Sequence, residues 1–292
     1  MSKIASTAIG FIAVLLWATL ALFTAASGQV PPFQLAAMTF ALGGGLGAMS
    51  WLFRPHGINA LRQPATVWLL GIVGLFGYHF AYFTALRNAP PVEAGLIAYL
   101  WPLLIVIFSA LLPGERLRSF HVVGALLGLA GAALIVTQGG QVQFRSEYGF
   151  GYFTALLCAL IWSGYSVLSR RFSTVPTDVV IGFCLVSALL AGLAHLMLEE
   201  TVWPSGTSQW LATVGLGIGP VGLAFYAWDH GVKHGDIQLL GACSYFAPLL
   251  STLLLVVTGF ATPSGLIAVA CLLITAGAVI AAKDMIFGRN HS

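Results

Sequence analysis

Residues 94–114 read AGLIAYLWPLLIVIFSALLPG and contain no Asp, Glu, Lys or Arg. A helix needs about 20 apolar residues to cross the hydrocarbon core of a bilayer, so this stretch predicts one membrane-spanning helix. Its continuous apolar character differs from the alternating pattern of a transmembrane barrel strand. The same pattern continues in both directions, because charged residues only separate similar stretches from one another.

Eight stretches of the chain are free of charged side chains. Six have the length of one helix, while 4–53 and 237–282 have the length of two, with turn-forming breaks at 28–32 and 259–263. The sequence therefore predicts an all-α integral membrane protein with ten transmembrane helices and short connections. The predicted helices are 4–26, 32–53, 65–86, 91–112, 119–137, 148–170, 177–198, 209–230, 236–258 and 264–284.

The composition excludes other classes of protein. Charged residues make up 7% of the chain and hydrophobic residues 59%, whereas about a quarter of a soluble domain is charged. This excludes a water-soluble surface and a nucleic-acid-binding protein. The four cysteines have neither metal-ligand nor CxxC spacing, so we expect no metal, no cofactor and no disulfide. The N-terminus resembles a signal peptide, but its apolar stretch is too long, so we expect it to be the first helix.

Basic residues indicate how the helices are oriented. With the N-terminus in the cytoplasm, ten Lys and Arg residues lie in inside segments and two in outside segments. Because cytoplasmic loops carry an excess of basic residues, both termini and the loops 54–64, 113–118 and 171–176 are predicted to be cytoplasmic. The inside residues are Lys3, Arg54, Arg62, Arg116, Arg118, Arg170, Arg171, Lys233, Lys283 and Arg289, and the outside residues are Arg87 and Arg145.

The chain contains an internal repeat. Tyr99-Leu100-Trp101-Pro102-Leu103-Leu104 is matched 146 residues later by Tyr245-Phe246-Ala247-Pro248-Leu249-Leu250, and Trp17 is matched by Trp162 at an offset of 145. Because each half contains five helices, an odd number, the second half enters the membrane from the opposite side. The sequence thus predicts two inverted five-helix repeats, 1–140 and 141–292.

This pattern has a family resemblance. Residues 114–117 (GERL) precede 124–131 (GALLGLAG) in the first half. Together with two five-helix halves, they resemble the drug/metabolite transporter (DMT) superfamily, specifically its EamA-type exporters and the bacterial aromatic amino-acid exporters among them. The resemblance implies an inner-membrane secondary transporter that exports amino acids, aromatic ones included, by alternating access. Phe260 departs from the pattern, since such families often carry Glu there.

Transporter sites lie near the membrane midplane, at helices interrupted at corresponding positions of the two repeats. We expect kinks at Pro102, Pro220 and Pro248. Aromatic residues at midspan, away from the interfacial belts, predict an aqueous cavity, although close packing of the same residues remains an alternative. The predicted substrate contacts are Trp17, Tyr78, His79, Tyr82, Tyr99, Trp101, Trp162, Tyr165 and Tyr245, and the predicted belt residues are Trp51, Trp68, Trp203, Trp210 and Trp228.

Ionisable residues inside a membrane are functional candidates. His79 lies well inside the third helix, where it could hydrogen-bond a substrate carboxylate or exchange a coupled proton. A neutral histidine satisfied by a neighbour is the alternative. Asp229 and Lys233 lie nearer a helix end, so we expect them to be solvated. Tyr99 and Trp101 are about 200° apart on a regular helix, and both face a cavity only if Pro102 distorts that turn.

The expected partners are the lipid bilayer and a small-molecule substrate, an amino acid or amphipathic metabolite. Broad-specificity efflux of drugs or metabolites is the nearest alternative function, and a channel is another, although no selectivity filter is evident. An enzyme is not predicted, because neither HExxH nor GxSxG occurs. The GxGxxG pattern at 217–222 lies inside one apolar span and contains a proline, unlike a dinucleotide-binding turn.

Overall fold

The computed structural model describes residues 1–259 and 262–284, and all regular secondary structure in those residues is helical. Among the described residues, nine helices are long and apolar enough to cross a bilayer, and a tenth apolar helix has 17 residues. The prediction of ten helices is confirmed. They are α1 (Lys3–Ala26), α2 (Pro32–Leu52), α3 (Ala65–Asn88), α4 (Pro91–Leu111), α5 (Ser119–Thr137), α6 (Ser146–Arg171), α7 (Val179–Leu198), α8 (Thr207–His234), α9 (Ile237–Val257) and α10 (Gly265–Ala281).

Some predictions fall outside the described residues. Phe260 and Ala261, part of the predicted break before α10, are among these residues, as is the C-terminal segment 285–292 with Arg289. Elsewhere the outer surface is apolar, and Leu189, Leu196 and Leu272 are exposed. Exposed leucines on helices of this length fit a surface that faces lipid.

Small residues allow the helices of the two halves to pack closely. A Cβ added to Gly124 of α5 would lie 2.5 Å from the carbonyl oxygen of Gly277 in α10. A Cβ on Gly43 of α2 would lie 2.8 Å from the Cα of Gly222 in α8. Backbones this close require glycine, as is common between membrane helices.

The helices are interrupted at equivalent positions in the two halves. A π-helical turn covers Val73–Gly77 in α3 and Gly219–Leu223 in α8, an offset of 146 residues. Pro220 lies within the second of these turns. Breaks also separate Ala98 from Trp101 in α4 and Cys243 from Phe246 in α9, with Pro102 and Pro248 just after them. Such interruptions recur at functional sites and in transporter repeats.

The five-helix halves define two faces of the molecule. The N-terminal face is the side where α1 begins, and it holds the α2–α3, α4–α5, α6–α7 and α8–α9 connections. The distal face holds the α1–α2, α3–α4, α5–α6 and α7–α8 connections. The bias in basic residues predicts that the N-terminal face is cytoplasmic.

Thiol labelling in intact cells can test this orientation. In a chain without its four native cysteines, Ser119→Cys, where the α4–α5 connection ends on the N-terminal face, should resist a membrane-impermeant thiol reagent added outside. Ser146→Cys, where the α5–α6 connection ends on the distal face, should react and serves as the matched control. Both serines are exposed, and the exchange of an oxygen for a sulfur should leave the fold unchanged. Strong labelling at position 119 together with protection at position 146 would reverse the orientation.

Candidate substrate site

Four tryptophans from four helices meet at the centre of the molecule. Trp17 of α1, Trp101 of α4, Trp162 of α6 and Trp228 of α8 all contact one another, with six ring-centroid distances between 5.0 and 6.3 Å. We call them the tryptophan cluster. Trp228 is fully buried, so its predicted position in the interfacial belt is wrong. The reason is that α8 continues to His234, which places Trp228 more than one turn inside the helix end.

The polar edges of the cluster are hydrogen-bonded within the protein. Trp17 Nε1 donates to the carbonyl oxygen of Pro220 at 3.1 Å, and Trp228 Nε1 donates to Ser166 Oγ at 3.0 Å. The Pro220 carbonyl lies in the π-helical turn. In a regular α-helix it would accept from the Ala224 N–H, but here that N–H donates to the Gly219 carbonyl. The interruption of α8 therefore supplies the partner that a buried indole requires.

His79 is held in the same way by the interruption of α3. Its Nδ1 lies 2.7 Å from the carbonyl oxygen of Leu75, a residue of the π-helical turn at Val73–Gly77. Because a carbonyl can only accept, Nδ1 carries the proton, and Nε2 of the neutral ring is a hydrogen-bond acceptor. Leu75 and Pro220 lie in the corresponding π-helical turns of the two halves, so carbonyls of these turns orient His79 and Trp17.

The predicted residues of α3 form an aromatic wall beside the cluster. The His79 ring lies 5.1 Å from Tyr78, and Tyr78 lies 5.3 Å from Trp162 and stacks on Tyr82 at 6.1 Å. Phe40 and Phe225 also contact His79, at 5.0 and 6.2 Å. Neither phenylalanine was predicted from the sequence, because a phenylalanine in an apolar span carries no polar signal that separates it from core.

Exposure indicates where a substrate can enter. Trp101, Trp162 and Trp228 are buried, whereas Tyr78, His79, Tyr82 and Tyr99 are only half-buried. His79, Tyr82 and Tyr99 lie nine, six and eight residues from the α3–α4 ends of their helices, whereas Tyr78 and Trp101 both lie ten residues from those ends. The partly exposed wall is therefore on the distal side, and the tryptophan cluster lies between it and the N-terminal face.

Two predicted contacts lie away from this wall. Tyr165 is buried behind Trp162, at a ring distance of 5.3 Å, and packs against Gly74 of α3. Tyr245 of α9 is fully buried. Its hydroxyl accepts from the Leu103 N–H at 3.2 Å and donates to the Tyr99 carbonyl at 3.3 Å. The hydroxyl thus replaces the i→i−4 hydrogen bond of α4 that would join Leu103 to Tyr99, which is a recognised cause of a kink.

Removing this inserted hydroxyl should weaken the kink of α4. Tyr245→Phe keeps the ring but leaves the Leu103 N–H and the Tyr99 carbonyl without their bridge, at a cost of about 1–3 kcal/mol. We expect a lower melting temperature in detergent and slower transport. Tyr152→Phe, whose hydroxyl accepts a 3.4 Å bond at an exposed site, is the matched control. A melting temperature equal to that of the control would show that the hydroxyl does not hold the kink.

Ionic contacts between the two halves close the N-terminal face. Arg170 of α6 pairs with Glu115 of the α4–α5 connection and donates to the carbonyls of Val232 and Gly235 at 2.9 and 2.8 Å. Lys3 pairs with Asp236 at 3.1 Å. Each ion pair joins a residue of the first half to one of the second, so this face cannot open without breaking them.

Asp229 and Lys233 form a buried ion pair one turn beyond the tryptophan cluster. Lys233 Nζ lies 2.8 Å from Asp229 Oδ2 and 3.0 Å from the Val175 carbonyl, and Thr177 Oγ1 donates to Asp229. Their predicted solvated position is wrong, because α8 is longer than expected and the α6–α7 connection covers this part of it. The pair fastens that connection to α8.

The chain matches a known protein family over almost its whole length. The EamA-like transporter family matches residues 5–137 and 149–282, which cover α1–α5 and α6–α10. The chain belongs to this family. As an EamA-like transporter it is a multi-pass protein of the bacterial inner membrane, and the predicted fold and localisation are confirmed.

Relatives of this EamA-like transporter include several named exporters. The aromatic amino acid exporter YddG of Ancylobacter novellus is 61% identical over 96% of this chain and 98% of that protein. YddG of Salmonella typhimurium is 26% identical over 87% of this chain and 88% of that protein. The pseudopaline exporter CntI of Pseudomonas aeruginosa is 28% identical over 68% of each chain. A crystal structure 59% identical in sequence superposes with a TM-score of 0.93 over the whole of both chains.

Proposed function

We propose that this chain is a secondary transporter that exports amino acids, aromatic ones included, by alternating access. We place the substrate site where the wall formed by Tyr78, His79 and Tyr82 meets the tryptophan cluster. The main support for this proposal is that four tryptophans and an intramembrane histidine lie close together. They lie beside the π-helical turns of both repeats. The name of the relative that is 61% identical, an aromatic amino acid exporter, supports the same substrate class.

The chemistry of this site suits an amino acid with an aromatic side chain. Aromatic walls offer edge-to-face and stacked contacts, together with cation–π attraction to an ammonium group. Neutral His79 accepts at Nε2 and so fits the substrate ammonium, whereas only the protonated ring can donate to a carboxylate. The hydroxyls of Tyr78 and Tyr82 are donors for the carboxylate. Proton coupling would then involve exchange at His79 between the two orientations of the carrier.

Alternating access requires the contacts on the N-terminal side of this site to break and form again. Substrate from the N-terminal face reaches the wall only when the tryptophan cluster separates and Arg170 releases Glu115. Return to the described state closes the N-terminal face behind the substrate. With the N-terminal face in the cytoplasm, this sequence is export.

Counterflow in proteoliposomes tests the function. Vesicles preloaded with unlabelled phenylalanine should accumulate labelled phenylalanine transiently, because a carrier exchanges substrate across the membrane faster than net flux dissipates it. Tryptophan and tyrosine should compete, and cationic drugs should not. Equilibration without overshoot would indicate a channel. Competition by drugs but not by amino acids would indicate the efflux alternative.

A further inference from the structure

A cavity lies at the N-terminal face, far from the tryptophan cluster. It has a volume of about 220 Å³ and is bounded by the start of α1, the α4–α5 connection, the start of α9 and the end of α10. Lys3 lines it, and Lys3 and Trp17 are separated by 14 residues of α1, or about 20 Å at the helical rise of 1.5 Å. This cavity is therefore distinct from the central site.

The cavity wall is strongly charged but has no net charge. Lys3 pairs with Asp236 at 3.1 Å, and Arg118 pairs with Asp284 at 3.0 Å. Such a wall suits a ligand that itself carries both signs better than a simple anion or cation, because potentials across an interface must be complementary. The charged residues of the wall are Lys3, Arg116 and Arg118 and Glu115, Asp236 and Asp284.

Two buried polar side chains line this cavity. Gln238 is 2% exposed, and its Nε2 has no hydrogen-bond partner among the residues that the structure describes. A buried amide without a partner costs about 1–3 kcal/mol, so an acceptor in the cavity would recover that free energy. His121 is also buried, and its Nδ1 accepts from the Arg118 N–H at 3.2 Å. The proton of the neutral ring is therefore on Nε2, which makes His121 a second donor.

We propose that this cavity binds the zwitterionic end of an amino acid before it enters the central site. The carboxylate lies on Gln238 Nε2, His121 Nε2 and the Arg116 guanidinium, and the ammonium group lies against the carboxylates of Asp236 and Asp284. Each of those carboxylates has lone pairs beyond the one used in its ion pair. The volume is below that of sites for drug-sized ligands, in agreement with a small metabolite.

This proposal rests on the proposed function, since it assigns the exported substrate to the cavity. It also uses the predicted orientation, in which the N-terminal face is cytoplasmic and meets the substrate first. An entry site raises the local substrate concentration at the side from which export begins. It therefore affects transport from one face only, unlike the central site.

Binding stoichiometry tests the entry site separately from the central site. Equilibrium dialysis of the purified full chain with labelled phenylalanine should give two molecules per wild-type chain. Gln238→Met, which keeps the length of the side chain, should give one, and Trp101→Ala should give two with one of them bound more weakly. Gln141→Met, an exposed substitution on the distal side, should give two as in the wild type. One molecule per wild-type chain, or two for Gln238→Met, would overturn the entry site and leave the central site intact.

Transport kinetics provide the second readout. Gln238→Glu places a negative charge beside the substrate carboxylate, and it should raise the KM from the N-terminal face about tenfold while the KM from the distal face is unchanged. An equal change in the KM measured from both faces would overturn the proposal. Absence of phenylalanine counterflow in every variant and in the wild type would instead contradict the proposed function. Melting temperatures identify any variant that fails to fold.

Discussion

Replacing His79 with Ala should remove most transport, whereas His79→Gln should retain a measurable part of it. Nε2 of neutral His79 is an acceptor because Nδ1 is committed to the Leu75 carbonyl, and a glutamine oxygen can take its place. A hydrogen bond to a charged group contributes about 1.5–3 kcal/mol, so the loss for Ala should be roughly tenfold to hundredfold. Initial rates of phenylalanine counterflow measure this loss of transport.

The same variants separate binding from proton coupling. If His79 carries the coupled proton, both should lose transport driven by a pH gradient and keep exchange at equal pH. His56→Ala, on the exposed α2–α3 connection, is the control and should behave as the wild type in both assays. Wild-type rates in both assays for both His79 variants would show that His79 has only a structural role.

Arg170→Ala should open the N-terminal face. The substitution leaves the Glu115 carboxylate unpaired, with its side chain 12% exposed, and removes the donor from the Val232 and Gly235 carbonyls. Breaking a buried ion pair by removing one partner costs about 3–5 kcal/mol. The closed state of this face should lose that stabilisation, and a cysteine at Ser169, which is 3% exposed in the closed state, should react faster with a thiol reagent.

Arg145→Ala is the matched control for this experiment. Arg145 also pairs with a glutamate, Glu147, but the two side chains are 62% and 58% exposed. Exposed pairs contribute about 0–1 kcal/mol, so no change in labelling at Ser169→Cys is expected. Equal labelling rates in the Arg170 and Arg145 variants would show that Arg170 does not hold the N-terminal face closed.

The sequence was sufficient for the helices and for the repeat. Charged residues mark the ends of apolar spans so regularly that no helix boundary differs by more than four residues from its prediction. The 146-residue offset seen in Tyr99–Leu104 and Tyr245–Leu250 reappears as interruptions at equivalent places in α3 and α8. Patterns of this kind are local, which is why they can be recognised without knowledge of the packing.

The parts of the site that depend on packing between distant helices were not predictable. Whether Tyr99 and Trp101 can share a cavity depends on the turn between them, and the hydroxyl that alters this turn comes from Tyr245, 146 residues away. Trp228 and Asp229 were placed too close to solvent because the last turn of α8 could not be recognised among polar residues. The Tyr245 contact joins helices that are far apart in the sequence, whereas the position of Trp228 and Asp229 depends on where α8 ends.

Equilibrium binding of labelled phenylalanine to Trp101→Ala and Trp203→Ala tests the central claim most directly. Trp101 contacts the other three members of the tryptophan cluster, whereas Trp203 is 61% exposed and stacks only on Trp210 among the aromatic rings that the structure describes. Aromatic contact contributes about 0.5–1.5 kcal/mol beyond the area that it buries. Trp101→Ala should therefore weaken central-site binding several-fold to tenfold, and Trp203→Ala should bind as the wild type. Equal affinity in the two variants, with both folded, would contradict a substrate site at the tryptophan cluster.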